Sequence, residues 1–192
     1  MGRIVVSQFI TVDGVIEDPG GAEGFDRGGW AFSFERGDEG DRFKFEEVMA
    51  ADALLLGRRT YEGFTEAWPS RTGDFADKFN SMPKYVVSEN LNDPEWSNTT
   101  MLGGDVPGAA ATVKERHERD ILVNGSAQLT RALLAAGAVD ELRLMVFPTV
   151  LGSGRRLFGD TSVSKAFRLV ESRPVGPDGV TILIYQPVTR EG

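Results

Sequence analysis

Residues 54–62, Leu54-Leu55-Leu56-Gly57-Arg58-Arg59-Thr60-Tyr61-Glu62, decide the fold. With Ala53 before them, the three leucines leave no polar face, the pattern of a strand buried on both sides in a parallel sheet. Gly57 ends the run, and Arg58 to Glu66 reads as the start of a helix. A strand-to-helix turn of this kind suits an anion. The first N–H groups of the helix and the positive end of its dipole face outward there, and the guanidinium of Arg58 or Arg59 can grip a phosphate with two parallel bonds. A plain turn with two solvated arginines fits the same residues.

A second turn has the same logic. In Ile121-Leu122-Val123-Asn124-Gly125-Ser126-Ala127-Gln128-Leu129-Thr130 a short apolar strand meets a helix. Gly125 lets a pyrophosphate approach the backbone, and Ser126 can cap the helix or donate to phosphate. A capped helix with no ligand is the other reading. A further short strand, Lys84 to Ser88, ends at a hydroxyl. Three such ends favour an extended ligand lying across strand C-termini, where open α/β sheets place their sites.

Outward from these turns, Ile4 to Ile10 reads as a buried strand followed by the turn Thr11-Val12-Asp13-Gly14. From Gly20 to Gly40 the chain carries seven glycines among aromatics and acids, a long loop that is either functional or a surface excursion. Trp30, Phe32 and Phe34 within it fit a pocket for a planar ring or simple loop anchoring. Asp41 to Ala51 has helical spacing with Phe45, Val48 and Met49 on one face. A strand over 99–102, a helix over 106–119, a strand over 120–123 and a helix over 127–136 closed by Gly137 continue the alternation. Glu141 to Val146 is a strand. Runs at 167–170 and 180–185, joined by Gly176-Pro177-Asp178-Gly179, suggest an antiparallel hairpin at one sheet edge. The expected class is therefore α/β, three layers αβα, with a mixed, mostly parallel central sheet and a C-terminal antiparallel hairpin.

Composition sets the limits. At 192 residues one domain spanning 1–192 is expected, burying roughly 70% of the surface of its unfolded chain. The formal net charge is -8, with 41% hydrophobic and 26% charged residues, and no basic stripe is long enough to follow a nucleic-acid backbone. An acidic protein that binds an anion must gather its cations locally, so Arg58-Arg59 and Arg155-Arg156 are the pairs of interest. There is no cysteine and one histidine, His117, so no thiolate metal site or cysteine nucleophile is expected. His117, on a charged helix face, reads as solvated. Neither a signal-peptide stretch nor a spanning segment is evident, which makes the cytoplasm the expected compartment and excludes a membrane partner.

Leu56-Gly57-Arg58-Arg59-Thr60-Tyr61-Glu62, Val86-Val87-Ser88, Val123-Asn124-Gly125-Ser126 and the segment Val139 to Gly154 together resemble the dihydrofolate reductase superfamily. The closer likeness is to the reductase domain of the bifunctional riboflavin-biosynthesis deaminase/reductase and its free-standing relatives. The resemblance runs nearly the length of the chain, in the family's order. It implies NADPH as cofactor, with NADH possible. Gly57, Arg58, Arg59 and Thr60 would hold its phosphates, Ser88 would lie near the adenosine ribose, and Asn124, Gly125 and Ser126 would cradle the pyrophosphate, with Leu129 counted beside them. Dihydrofolate reductases have two glycines joined by a cis peptide where this chain has Asn124-Gly125. Val5, Gln8 and Ile10 to Gly14 would match the first strand and the mobile loop over the nicotinamide, so Asp13 and Gly14, together with Phe45, are the substrate-side candidates. Counting back without gaps from Gly57 to the family's carboxylate lands on Asp41, a catalytic candidate that also fits an ordinary helix-terminal acid. Glu89 follows Ser88 where a neutral or basic residue would better suit a 2′-phosphate. No deaminase signature is present.

Two function classes follow. The first is an NAD(P)H-dependent oxidoreductase that passes a hydride to a small, heterocyclic substrate, pterin-like or ribosylaminopyrimidine-like. The alternative is a nucleotide-binding module of the same fold without turnover. The resemblance further implies a homodimer associating through the apolar stretch Val139 to Val150, twofold symmetry being the commonest.

Overall fold

The computed structural model describes residues 1–91, 93–159 and 164–188. Among the described residues there are eight strands and five α-helices, in the order β1 Arg3–Thr11, α1 Gly37–Ala50, β2 Ala51–Gly57, α2 Arg58–Ala67, α3 Asp74–Ser81, β3 Lys84–Val87, β4 Thr99–Leu102, α4 Val106–Arg116, β5 Asp120–Val123, α5 Ala127–Ala135, β6 Glu141–Phe147, β7 Phe167–Val175 and β8 Val180–Pro187. The strands are hydrogen-bonded in the order β4-β3-β2-β5-β1-β6-β8-β7. β1 with β5, β2 with β3, β2 with β5 and β3 with β4 are parallel, whereas β6 with β8 and β7 with β8 are antiparallel. The α/β class and the terminal hairpin are as expected. Among the described residues no helix is long and apolar enough to cross a membrane.

Two compact units divide the chain, one of Met1–Val6 and Lys44–Val139, the other of Ser7–Phe43 and Asp140–Gly192. In the first, β2 is flanked by β3 and β5, and Leu54, Leu55 and Leu56 have no exposed surface. Full burial of each leucine contributes roughly 1.5–3 kcal/mol relative to exposure, which is why this strand tolerates no polar face. An aromatic cluster of Tyr61, Phe64, Trp68, Phe75, Phe79 and Trp96 packs beneath α2 and α3. Helix α3 was not expected: its two turns follow a Gly-containing stretch, and burial of Ala76 and Phe79, not length, holds it.

In the second unit the core gathers around Phe147 on β6, which meets the rings of Phe9 and Trp30 edge-on, both at 5.3 Å. Ile182 and Val180 of β8 and Val175 of β7 complete it. The glycine-rich stretch is ordered rather than an excursion. The buried carboxylate of Asp18 accepts from the N–H groups of Ala22 at 2.7 Å, Glu23 at 3.0 Å and Phe25 at 3.2 Å, and its carbonyl accepts from Gly29. Trp30 anchors the loop's end, its indole N–H donating to the Glu17 carbonyl at 2.8 Å. β6 is internal to the sheet, with Leu142, Leu144, Met145 and Phe147 buried, while Val150 beyond it is exposed. Among the described residues, the large apolar side chains exposed in this unit are Val12, Phe32 and Val150 and, toward the hairpin, Phe158, Leu169, Val170 and Val188.

Candidate functional site

The two strand-to-helix turns singled out in the sequence lie side by side at the C-terminal ends of β2 and β5. Gly57 donates its N–H to the Gly125 carbonyl at 3.2 Å. Neither glycine has room for a side chain. A Cβ on Gly57 would come within 2.5 Å of Ser126 Oγ, and one on Gly125 would collide with Thr60 Oγ1. Gly125 also has φ of 137°, a backbone region that glycine alone enters cheaply. The cis peptide implied by the resemblance is one residue later than Asn124-Gly125, between Gly125 and Ser126.

The two helices differ at their starts. Ser126 caps α5, its hydroxyl accepting from Leu129 N–H at 3.3 Å. Gly57 offers α2 no side-chain cap, so the first N–H groups of that helix are open to an outside acceptor. Arg58 and Arg59 follow at once, both exposed. Arg58 reaches Glu62 only at 3.5 Å, and among the described residues Arg59 makes no ion pair. Ser88 falls in the same row, because Gly57 is in register with Val87 of β3. Its N–H donates to Leu102 at 3.2 Å and its hydroxyl accepts from Asn90 N–H at 3.2 Å. Asn124 is half-buried beside Gly125, and Leu129 is buried on α5. Thus Gly57, Thr60, Gly125 and Ser126 are brought together, with Arg58 and Arg59 at the rim, while Leu129 offers a core side chain.

The residues present fit a dinucleotide at these turns: an uncapped helix start, two exposed guanidinium groups in a chain of net charge -8, and a glycine in each turn.

The substrate-side candidates fall elsewhere in the chain. Asp13 is a hub of the second unit. Thr11 Oγ1 donates to it at 2.6 Å, Gly152 N–H at 2.8 Å and Leu151 N–H at 3.2 Å, and Arg156 lies at 3.5 Å. The Thr11 hydroxyl foremost, against the opposing push of burial, and then the two amides hold its pKa down to about 2. Gly14, at φ 82°, turns the chain so that its carbonyl accepts from Leu157 N–H at 2.9 Å. Phe45 on α1 is 40% exposed.

Three sequence readings are corrected. Arg155 and Arg156 are not a free cation pair: Arg155 meets Glu17 at 2.6 Å and Arg156 donates to the Asp13 carbonyl at 2.9 Å. His117 is not simply solvated, since it caps α4 half-buried with its Nε2 at 3.0 Å from the Tyr85 hydroxyl, and burial lowers its pKa against the opposing charge of Asp52. The helix expected from Asp41 begins at Gly37. Asp41 therefore lies past the first turn, 65% exposed, with its Oδ1 2.6 Å from Arg36 Nε.

The sequence reading missed Arg36. Its guanidinium stands 5.2 Å from the Phe9 ring centre, and its stem passes where a Cβ on Gly40 would be, 2.8 Å from the Arg36 Cβ. The spacing Arg36, Gly40, Asp41 near a helix start was the only available signal. It also missed Lys84, whose side chain is wholly buried at the start of β3. Its ammonium donates to the carbonyls of Asn80, Met82 and Ser97 and lies 4.4 Å from the Trp96 ring centre. Among the described residues no cluster of His, Cys, Asp or Glu could hold a metal ion.

Comparison with known proteins agrees with this architecture. The uncharacterized protein YyaP of Bacillus subtilis strain 168 is 25% identical over 188 residues, 95% of this chain and 94% of its own. A candidate riboflavin biosynthesis protein from Shewanella sp. PV-4 superposes with a TM-score of 0.77 at 21% identity, covering 97% of this chain and 99% of that one. Dihydrofolate reductase of Enterococcus faecalis, solved with NADP(H), gives 0.63 at 15% identity over 97% of both chains. The Thermotoga maritima diaminohydroxyphosphoribosylaminopyrimidine deaminase/5-amino-6-(5-phosphoribosylamino)uracil reductase gives 0.65 at 17% identity, this chain covering 57% of that longer one. The superpositions bear out the dihydrofolate-reductase-like fold, and the family model described as RibD C-terminal domain matches residues 3–181. The chain belongs to the RibD C-terminal domain family.

Proposed function

We propose that this protein is a reductase that binds a reduced nicotinamide dinucleotide, NADPH foremost, and passes a hydride to a small heterocyclic substrate, pterin-like or ribosylaminopyrimidine-like. The observation that carries this reading is the pair of locked turns, Gly57 on Gly125, beside the uncapped start of α2 with Arg58 and Arg59 at its rim. The nicotinamide, when bound, supplies the hydride. The protein's part at these turns is to receive phosphate: the α2 amides and the Arg58 or Arg59 guanidinium by charge-assisted bonds, and the Ser126 hydroxyl, whose oxygen accepts from Leu129 N–H, by donating its own proton. On the substrate side, Asp41, Asp13, Gly14 and Phe45 are the proposed contacts. Asp41 would deliver the proton or orient the substrate, and Arg36, seated on Phe9, holds its carboxylate.

A binding module without turnover is the second reading. It draws on the exposure of Asp41, whose carboxylate is already paired with Arg36. Recording loss of reduced-nicotinamide absorbance against pterins, ribosylaminopyrimidines, quinones and small carbonyls separates the two. Oxidation with a pyrimidine or pterin supports the reductase; tight cofactor binding with no oxidation by any of them leaves the module.

We also propose a homodimer. Val150, exposed at the end of the Val139 to Val150 stretch, supports an interface there, and the exposed Leu169, Val170, Phe158 and Val188 support the hairpin face as the other surface for it. Light scattering at micromolar concentration tests it, a monomer mass being the contrary result.

A further inference from the structure

The C-terminal ends of β2, β3 and β4 lie in one row: Gly57 is in register with Val87, and Val87 with Leu102. Neighbouring strands are ~4.8 Å apart. A dinucleotide with its pyrophosphate on the Gly57 and Gly125 turns and its adenosine half over β3 therefore has its ribose beside Ser88, about one strand away. The next residue is Glu89. It is exposed and forms no ion pair among the described residues. Its side chain lies along Gly104: a Cβ there would come within 2.5 Å of Glu89 Oε1 and 2.9 Å of its Cγ. Gly103 has nothing within 4 Å of the position its Cβ would take, so the floor beside this carboxylate is open. Arg58 and Arg59 follow the end of β2, and Glu89 follows β3 with its carboxylate against Gly104, beyond β4.

We propose that Glu89 is the specificity-determining residue for the dinucleotide, weakening the hold on a 2′-phosphate and accepting instead from a 2′-hydroxyl. This rests on the dinucleotide reading above. A carboxylate beside the ribose bonds a hydroxyl, as in NAD-specific sites, and repels a phosphate, whereas a cation does the reverse. Arg58 and Arg59 pull toward NADPH, and Glu89 reduces the margin.

Calorimetric titration of the whole protein with NADPH and with NADH tests this in wild type, Glu89→Gln and Glu89→Lys, at low and at high salt. The ratio Kd(NADH)/Kd(NADPH) should rise about fivefold in Glu89→Gln, the scale of a like-charge contact between exposed groups. It should rise further in Glu89→Lys, and both changes should shrink at high salt. If both cofactors bind and the ratio is the same in all three proteins, Glu89 plays no such part and the dinucleotide reading stands. If neither cofactor binds the wild type at millimolar concentration, both readings fall. Glu89 is exposed, so each variant should fold, and thermal denaturation checks that it does.

Discussion

The Gly57 N–H donates to the Gly125 carbonyl at 3.2 Å, so the turn after β2 and the turn after β5 are one hydrogen-bonded unit. Ser126 Oγ occupies the space a Gly57 side chain would need, and Thr60 Oγ1 the space beside Gly125. Each turn thus supplies the hydroxyl that makes the other's glycine necessary.

Gly57→Ala is expected to destabilise the fold by about 1–3 kcal/mol, the usual cost of inserting a methyl group into filled space. Its backbone, at φ -83°, is ordinary, so the effect is purely steric. Urea denaturation of Gly57→Ala, Ser126→Gly and the double variant checks it: the double variant should cost less than the two singles added together. Additive losses would show that the two positions do not touch.

Asp13 gives the fold a defined acid limit. Its pKa is about 2 in the folded chain against an ordinary 3.8. Its contribution is fully present above 3.8 and is lost as the pH falls toward 2, because the unfolded chain takes up the proton first. The melting-temperature difference between wild type and Asp13→Asn should therefore be largest above pH 4 and should narrow through that window. A constant difference from pH 5 to pH 2 would contradict it.

Lys84 acts at the other end of the scale. Burial lowers its pKa to about 8 from 10.5. Between those values the unfolded chain binds the proton that the folded chain has shed, so stability from this group rises with pH from about 8 to 10.5 and is flat below. Lys84→Met should remove that rise. At pH 7 it should also cost about 1–3 kcal/mol, because the carbonyls of Asn80, Met82 and Ser97 lose their donor. Denaturation at pH 7, 9 and 10.5 measures both effects.

Asp18 orders the glycine-rich loop through three amides. In Asp18→Ala the amides of Ala22, Glu23 and Phe25 should exchange hydrogen faster, with about 1–3 kcal/mol lost from the loop's stability. Asp18→Asn keeps one acceptor oxygen and tolerates the local φ of 47°, so it should recover most of the protection at Ala22 and Glu23. Unchanged exchange in the alanine variant would mean that other contacts hold the loop.

If Asp41 meets the substrate, Asp41→Asn should lower turnover about 10²–10⁴-fold, the range for a positioned acid-base group, and leave the calorimetric affinity for NADPH unaltered. Wild-type turnover in Asp41→Asn would make it an ordinary helix acid, with the proton drawn from water.

Much of the fold was legible because its signals are local. Three leucines ending in a glycine mark β2, and strand-helix alternation with a terminal Gly-Pro-Asp-Gly turn marks a parallel sheet with a hairpin. Gly137 ends α5 in the left-handed region, at φ 66°, as its position after an apolar helix implies. Position after a strand also identified Gly57 and Gly125. Tertiary structure alone decided which charges are used. Arg155 and Arg156 have the same sequence signature as Arg58 and Arg59, but Glu17 and Asp13, each more than a hundred positions away, take up the first pair. No local pattern encodes such a pairing, since it arises only when folding brings distant backbone together. Lys84 shows the same limit: a lysine opening a strand reads as exposed, and only the three carbonyls and the Trp96 ring that close around it make its burial tolerable. The chemistry a residue can perform is set by its type, which the sequence states; whether that chemistry is available is set by its neighbours, which only the folded chain assembles.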